Sequence, residues 1–106
     1  MNDQVYVDGI EAVGVIEATG FVPIFDAVDS MTKAAEITVC SVNKIGAHLV
    51  ACIVSGELAA VRVALDVGEE SARAVGATDV KSVVFASPSD PIQVLAESAP
   101  SLLGAR

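Results

Sequence analysis

The sequence predicts a single domain in which an antiparallel sheet carries its helices on one face. Three observations lead to this fold class. The 106 residues are enough for one buried core, 53% of them are apolar, and two segments of helical periodicity alternate with short runs rich in β-branched residues. No run approaches the ~18 apolar residues of a membrane span. A monomer of this size would struggle to bury so much apolar surface, so the composition favours self-association.

The first strand is predicted at residues 10–18 and the first helix at 21–36. Thr19-Gly20 ends the strand, and Pro23 suits the first turn of a helix, where its missing N–H costs nothing. Asp29 and Lys33 form an i,i+4 pair in the favourable order on the polar face. The apolar face consists of Ile24, Val28, Met31 and Ala35.

The second half of the chain repeats this alternation. Residues 37–43 and 48–54 are predicted strands, and a second helix is expected to start at Ser55-Gly56 with Glu57 in its first turn. Gly76 is predicted to end that helix in a left-handed conformation, before a fourth strand at 80–86. The apolar stripe of the helix consists of Leu58, Val61, Leu65, Ala72 and Val75.

The order strand, helix, strand, strand, helix, strand is the βαββαβ pattern of ferredoxin-like α/β (α+β) domains. Residues 1–9 are predicted to form a short arm or an extra edge strand. The tail, 88–106, is rich in proline and allows one short helix at 92–97.

Composition excludes several classes of function. The net charge of −8 argues against nucleic acid and against an anionic membrane surface, both of which attract basic proteins. Cys40 and Cys52 are not in a C-x-x-C arrangement, and we expect both in the core as small hydrophobes. With His48 as the single histidine, no metal site is expected. The polar opening Asn2-Asp3-Gln4 is unlike a signal peptide and favours a cytoplasmic protein.

The sequence contains few residues for catalysis, and we expect no enzyme and no cofactor. A single histidine allows no dyad of histidines, and no G-x-S-x-G, P-loop or G-x-G-x-x-G motif occurs. Glu11, Glu17 and the pair Glu69-Glu70 are interpreted as solvated surface carboxylates. The compact segment Lys44-Ile45-Gly46-Ala47-His48 is the most distinctive feature, and by spacing alone it reads as an ordinary hairpin with a left-handed glycine.

Three segments together change this interpretation. The first contains G-V-I-E-A-T-G-F at 14–21 and A-V-D-S-M-T-K-A-A at 27–35, the second is Lys44-Ile45-Gly46, and the third is V-S-G-E-L-A-A-V at 54–61. In this order and spacing they resemble the bacterial microcompartment shell domain (BMC domain), with the match covering residues 10–87.

The resemblance implies a structural role. Domains of this family form six-fold cyclic hexamers, which pack edge to edge, with other shell proteins, into the facets of a protein shell. It implies that Gly46, Ala47 and His48 line a central pore for small polar metabolites, and that Lys33 lies at the hexamer edge. Self-association through a closed ring agrees with the apolar composition.

Two departures from the family pattern affect these expectations. Ala47-His48 stands where glycine or serine is common, so the passing solute is left open. Ser87-Pro88-Ser89 replaces a common R-P-H segment, so one edge contact is altered. Six imidazoles around one axis would disfavour one another's protonation, so the pore would gain positive charge only in acid, unless His48 points away from the axis. The alternative function is an oligomeric ferredoxin-like regulatory or metabolite-binding module.

Overall fold

The computed structural model describes residues 11–86, which form four strands and two helices. In chain order these elements are β1 (Glu11–Thr19), α1 (Phe21–Ala34), β2 (Thr38–Lys44), β3 (Leu49–Glu57), α2 (Leu58–Ala74) and β4 (Lys81–Ala86). The strands pair antiparallel in the order β2-β3-β1-β4. The predicted ferredoxin-like topology is confirmed, because β1 and β3 lie at the centre while β2 and β4 are the edges.

The main core lies between the sheet and the two helices. Alternate residues of β1, namely Ala12, Ile16 and Ala18, face the helices and pack with the buried side chains of α1 and α2. The other face of the sheet carries a smaller buried cluster of Val13, Val15, Ala51 and Ile53. Strand alternation therefore divides β1 between two clusters. The helical side of the core includes Ile24, Ala27, Met31, Val61, Ala64, Leu65 and Ala72.

Two glycines allow the layers to approach closely. A Cβ atom on Gly68 of α2 would lie 2.8 Å from Sδ of Met31 in α1. A Cβ atom on Gly14 of β1 would lie 2.7 Å from Cγ1 of Val61 in α2. Both distances are shorter than van der Waals contact, so the helix–helix and helix–sheet spacing depends on the absence of these side chains.

The C-terminus of α2 agrees with the prediction for Gly76, which has φ +105°. The N–H of Gly76 bonds to the carbonyl of Arg73, and the N–H of Ala77 bonds to that of Ala72. These are the two bonds of a Schellman motif. Val75, predicted on the apolar stripe, is instead the C-cap residue and is exposed. Its backbone already leaves the helix there, so its side chain is directed away from the core.

Two other predicted boundaries are wrong because the backbone changes conformation at a different residue from the predicted one. Glu57 was expected in the first turn of α2, but it ends β3, where it pairs with Glu11 of β1. The long β1–β3 ladder keeps the chain extended beyond Val54, the predicted end of the strand. α1 ends at Ala34, and Ala35 is already extended.

The burial of two side chains also differs from prediction. Glu17 is buried, not solvated, because strand alternation places it with Val13 and Val15 on the face of the central strand opposite the helices. Cys40 is exposed, not in the core, because the β2–β3 register shifts between Val39 and Ser41. Such a bulge on an edge strand redirects the side chain.

Three predicted features lie outside the described residues. They are the arm at 1–9, the short helix at 92–97 and the altered edge segment Ser87-Pro88-Ser89.

Candidate pore loop and assembly edge

The segment between β2 and β3 is a short loop anchored at both ends. The N–H of Ile45 bonds to the carbonyl of Leu49 at 2.8 Å, and the Ile45 side chain packs on the cluster of Val13, Val15, Ala51 and Ile53. The carbonyl of His48 accepts a bond from the N–H of Gly20, also at 2.8 Å. Gly46, Ala47 and His48, the predicted pore residues, lie together at the exposed tip. We call residues 45–48 the tip loop.

Gly46 has no steric requirement within the chain. Its φ lies outside the left-handed region, unlike those of Gly20 and Gly76, so the left-handed hairpin glycine considered from the sequence is not present. A Cβ atom on Gly46 would meet its nearest neighbours, two atoms of Leu49, at an ordinary 3.9 Å. An alanine would therefore fit this loop in the isolated chain.

Gly20, in contrast to Gly46, has a backbone conformation that favours glycine. It precedes α1 with φ 89° and ψ 159°, a backbone region that is essentially restricted to glycine. This conformation turns the chain from β1 into α1 and directs the Gly20 N–H at the His48 carbonyl. The Thr19-Gly20 pair thus ends the strand, as the sequence predicts, and also supports the tip loop.

The sequence analysis missed a polar contact beside this turn. The hydroxyl of Thr19 donates to one carboxylate oxygen of Asp79, and the Thr19 N–H lies 3.4 Å from the other. The Thr19 hydroxyl lowers the pKa of Asp79 below its ordinary value, although partial burial opposes the shift. No local pattern indicates this pair, because 60 residues separate its members. It fixes the segment after α2 to the end of β1.

Lys33, the predicted edge residue, lies in the last turn of α1 with 75% of its side chain exposed. Its Nζ is 3.1 Å from Oδ2 of Asp29, so the predicted i,i+4 pair is present. From Gly20 to Lys33 the helix rises about 20 Å, at ~1.5 Å per residue. The structure therefore places the tip loop and Lys33 at opposite ends of α1.

The remaining polar groups do not converge on a reactive centre among residues 11–86. Within that range no three His, Cys, Asp or Glu side chains are placed to hold a metal ion. Burial and the nearby Cys40 raise the pKa of Cys52 to about 12, which keeps it a thiol. A cleft of about 390 Å³ beside the Thr19–Asp79 contact is open to solvent. No helix in that range is long and apolar enough to cross a membrane.

Comparison with known proteins identifies the family. The profile described as BMC domain matches residues 12–88. The carboxysome shell protein CsoS1C of Hydrogenovibrio crunogenus is 37% identical over 84% of this chain and 90% of its own. The microcompartment shell protein PduA of Citrobacter freundii is 41% identical, over 69% and 76%. The carboxysome shell protein CcmK2 of Synechocystis is 37% identical, over 77% and 81%.

A solved structure shows the same fold. The microcompartment protein of Desulfitobacterium hafniense superposes with a TM-score of 0.60 at 23% identity, over 70% of this chain and 41% of that chain. The class defined by the fold is thus a compact α+β domain of the kind found in microcompartment proteins. The chain belongs to the BMC domain family, as the three sequence segments predicted.

Proposed function

We propose that this chain is a structural subunit of a bacterial microcompartment shell. Its family membership and the shell-protein names of its relatives support this role. Relatives from carboxysomes and from a Pdu microcompartment match to similar extents, so the proposal concerns the shell and not the enclosed pathway. Residues 10–87 are the tile-forming domain in this proposal, flanked by the arm and the tail.

The proposed tile is a hexamer with the tip loop at its six-fold axis. The observation that carries this proposal is Gly46, a glycine for which the chain itself has neither a conformational nor a steric need. A requirement from outside the chain explains it, because six copies of any side chain would narrow an opening at the axis. Gly46, Ala47 and His48 then line the pore through which small polar metabolites pass.

Lys33 is proposed to lie at the tile edge. Because α1 separates Lys33 from the tip loop by about 20 Å, a loop at the axis puts Lys33 at the periphery. Its exposed ammonium group is free to approach a neighbouring tile while keeping its contact with Asp29. In this arrangement α1 begins near the central pore and ends near the hexamer edge.

A non-enzymatic role follows from the same proposal. Among residues 11–86, the polar contacts that join sequence-distant residues, such as Thr19–Asp79 and Ser82–Glu69, connect neighbouring elements and serve the fold. The shell subunit needs no reacting group, since its work consists of assembly and of limiting diffusion through the pore.

Sedimentation and electron microscopy of the full chain test the function. Sedimentation equilibrium should give a mass six times that of the 10.8 kDa chain, and concentrated protein should form sheets, tubes or shells. A ferredoxin-like regulatory module would instead give a small discrete oligomer without extended assemblies. A monomer or dimer at micromolar concentration would contradict the shell proposal.

A further inference from the structure

The three residues at the end of the tip loop, 46–48, have one described polar anchor within residues 11–86. The carbonyl of His48 accepts the hydrogen bond of the Gly20 N–H, and no other hydrogen bond of these three residues is described there. All three are exposed, so packing contributes little to their position. A second bond, donated by Ile45, fixes only the base of the loop on the β2 side. The position of the loop end therefore depends on the turn between β1 and α1.

The bond from Gly20 extends the ladder between β1 and β3 by one residue. Thr19 and Leu49 are the last pair of that ladder. Gly20 and His48 continue its register with one hydrogen bond. The chain enters α1 at Phe21, so Gly20 has to serve the sheet and the helix at once. Its φ of 89° and ψ of 159° achieve both, and these angles are essentially restricted to glycine.

A second contact holds the peptide group that contains this donor. The N–H of Gly20 and the carbonyl of Thr19 lie in one peptide plane. The hydroxyl of Thr19 donates to Oδ2 of Asp79, and the Thr19 N–H lies 3.4 Å from Oδ1. Asp79 belongs to the segment between α2 and β4, which the hydrogen bonds of Gly76 and Ala77 anchor to α2. The end of α2 is thus connected to the tip loop through Asp79, Thr19 and Gly20.

We propose that Thr19, Gly20 and Asp79 are positioning residues for the pore. This inference rests on the proposed function, in which the tip loop lies at the six-fold axis. These three residues do not line the proposed pore, but together they set the position of His48. In a six-fold ring the same displacement occurs six times around one opening, so a small shift of each loop changes the aperture. The selectivity of the pore then depends on a turn outside it.

Replacement of one amide by an ester tests the hydrogen bond without changing a side chain. Peptide ligation at Cys40 joins synthetic residues 1–39 to residues 40–106 in the natural sequence. Glycolic acid in place of Gly20 removes the N–H donor and introduces no Cβ atom. The control has α-hydroxyisovaleric acid in place of Val22, since the first N–H groups of a helix have no partner within it. Each ester also weakens one carbonyl acceptor, so the comparison isolates the donor.

Hydrogen exchange in the assembled protein measures opening of the loop. The N–H of Ile45, which bonds to Leu49, reports the loop, and the N–H of the buried Leu65 in α2 reports the rest of the fold. The ester at position 20 should accelerate exchange of Ile45 relative to Leu65 about 2- to 10-fold, the range for loss of one backbone hydrogen bond. The ester at position 22 should leave this ratio unchanged. A purely structural role of Gly20 would accelerate both amides.

Thr19→Val tests the second contact of the same network. It removes the hydroxyl that bonds to Asp79 and keeps the β-branched shape. It should accelerate exchange of Ile45 relative to Leu65 in the same direction as the ester at position 20. If that ester prevents assembly, Thr19→Val provides the same test in a chain of natural backbone.

Flux through reconstituted shells tests the consequence for the pore. The solutes are glycerol and sucrose, two polar molecules of different size. The ester at position 20 should raise the flux of sucrose relative to glycerol at least about twofold, because the loosened loop opens more often. The ester at position 22 should leave the ratio of the two fluxes unchanged.

The outcomes separate this inference from the proposed function. Equal exchange of Ile45 in the two esters overturns the inference. Faster exchange with an unchanged flux ratio also overturns it, because the loop then moves without affecting a pore. In both cases hexamers and sheets of the unmodified chain leave the shell function standing. If the unmodified chain forms no hexamer, the proposed function itself fails.

Discussion

The backbone N–H of Gly20 donates a hydrogen bond to the carbonyl oxygen of His48, at an N···O distance of 2.8 Å. This single contact joins the start of α1 to the tip loop. It requires the unusual conformation of Gly20, with φ 89° and ψ 159°. The exposed residues Phe21 and Phe25 follow directly, so the tip loop and these two phenylalanines share one end of the domain.

Gly20→Ala should destabilise the fold, because a Cβ atom is unfavourable at that φ and ψ. We expect a loss of about 1–3 kcal/mol in the free energy of unfolding. Urea denaturation at fixed protein concentration measures it. Gly46→Ala is the matched control, with ordinary φ and a nearest contact of 3.9 Å, and should stay within about 0.5 kcal/mol. Equal losses for the two variants would contradict the proposed difference.

Asp79 should make stability depend on pH in the acid range. Its pKa is lowered in the fold, chiefly by the Thr19 hydroxyl, so the ionised form stabilises the native state. That contribution is complete above the ordinary aspartate pKa and is lost as the pH falls through the lowered value. Asp79→Asn should lower the free energy of unfolding by about 1 kcal/mol at pH 7. This difference from the unmodified chain should be smaller at about pH 3.

Urea denaturation at both pH values measures this effect. Asp66→Asn serves as the control, because Asp66 is an exposed carboxylate for which no hydrogen bond is described among residues 11–86. The role of the carboxylate is disproved if the free energies of unfolding of Asp79→Asn and the unmodified chain differ by the same amount at both pH values.

The two cysteines should differ in reactivity towards a thiol reagent. Cys40 is exposed on the β2 bulge, whereas Cys52 is buried with its pKa raised to about 12. Because the thiolate is the reacting form, the folded protein should be labelled at one thiol per chain. In denaturant the thiol of Cys52 should also become labelled. Cys40→Ser should abolish labelling in the folded state. Rapid native labelling of Cys40→Ser would show that Cys52 is accessible.

Lys33→Ala should impair tile association without affecting the fold. The Lys33–Asp29 pair is exposed, so its loss costs about 0.3–0.5 kcal/mol. Hexamers should persist in sedimentation, while sheets seen by electron microscopy should become rare. Arg73→Ala is the matched control, since Arg73 forms the equivalent i,i+4 pair with Glu69 on α2. If both variants assemble like the unmodified chain, Lys33 is not at the edge.

His48 should restrict solute flux if it lines the pore. His48→Ala should then raise the flux of a small polar solute through reconstituted shells, because six shorter side chains leave a wider opening at the axis. His48→Gln is the control, since glutamine retains a polar side chain of similar size, and it should leave the flux close to that of the unmodified chain. Equal flux for His48→Ala and the unmodified chain would place the histidine away from the axis.

The sequence by itself determined the order of the elements, their topology and the family. These features depend on local signals: helical periodicity in 21–36, β-branched runs, and glycines such as Gly20 and Gly76 at the ends of elements. The exposed positions of Lys33 and of the tip loop could also be predicted, because charge and turn residues mark the surface.

The tertiary structure alone decided which side chains meet across the layers. Glu17 is buried because its strand is central, and Cys40 is exposed because its edge strand bulges, although the local sequence favoured the reverse. The Thr19–Asp79 contact depends on residues far apart in the chain. Periodicity shows which face of an element is apolar, but the packing of the sheet determines what that face contacts.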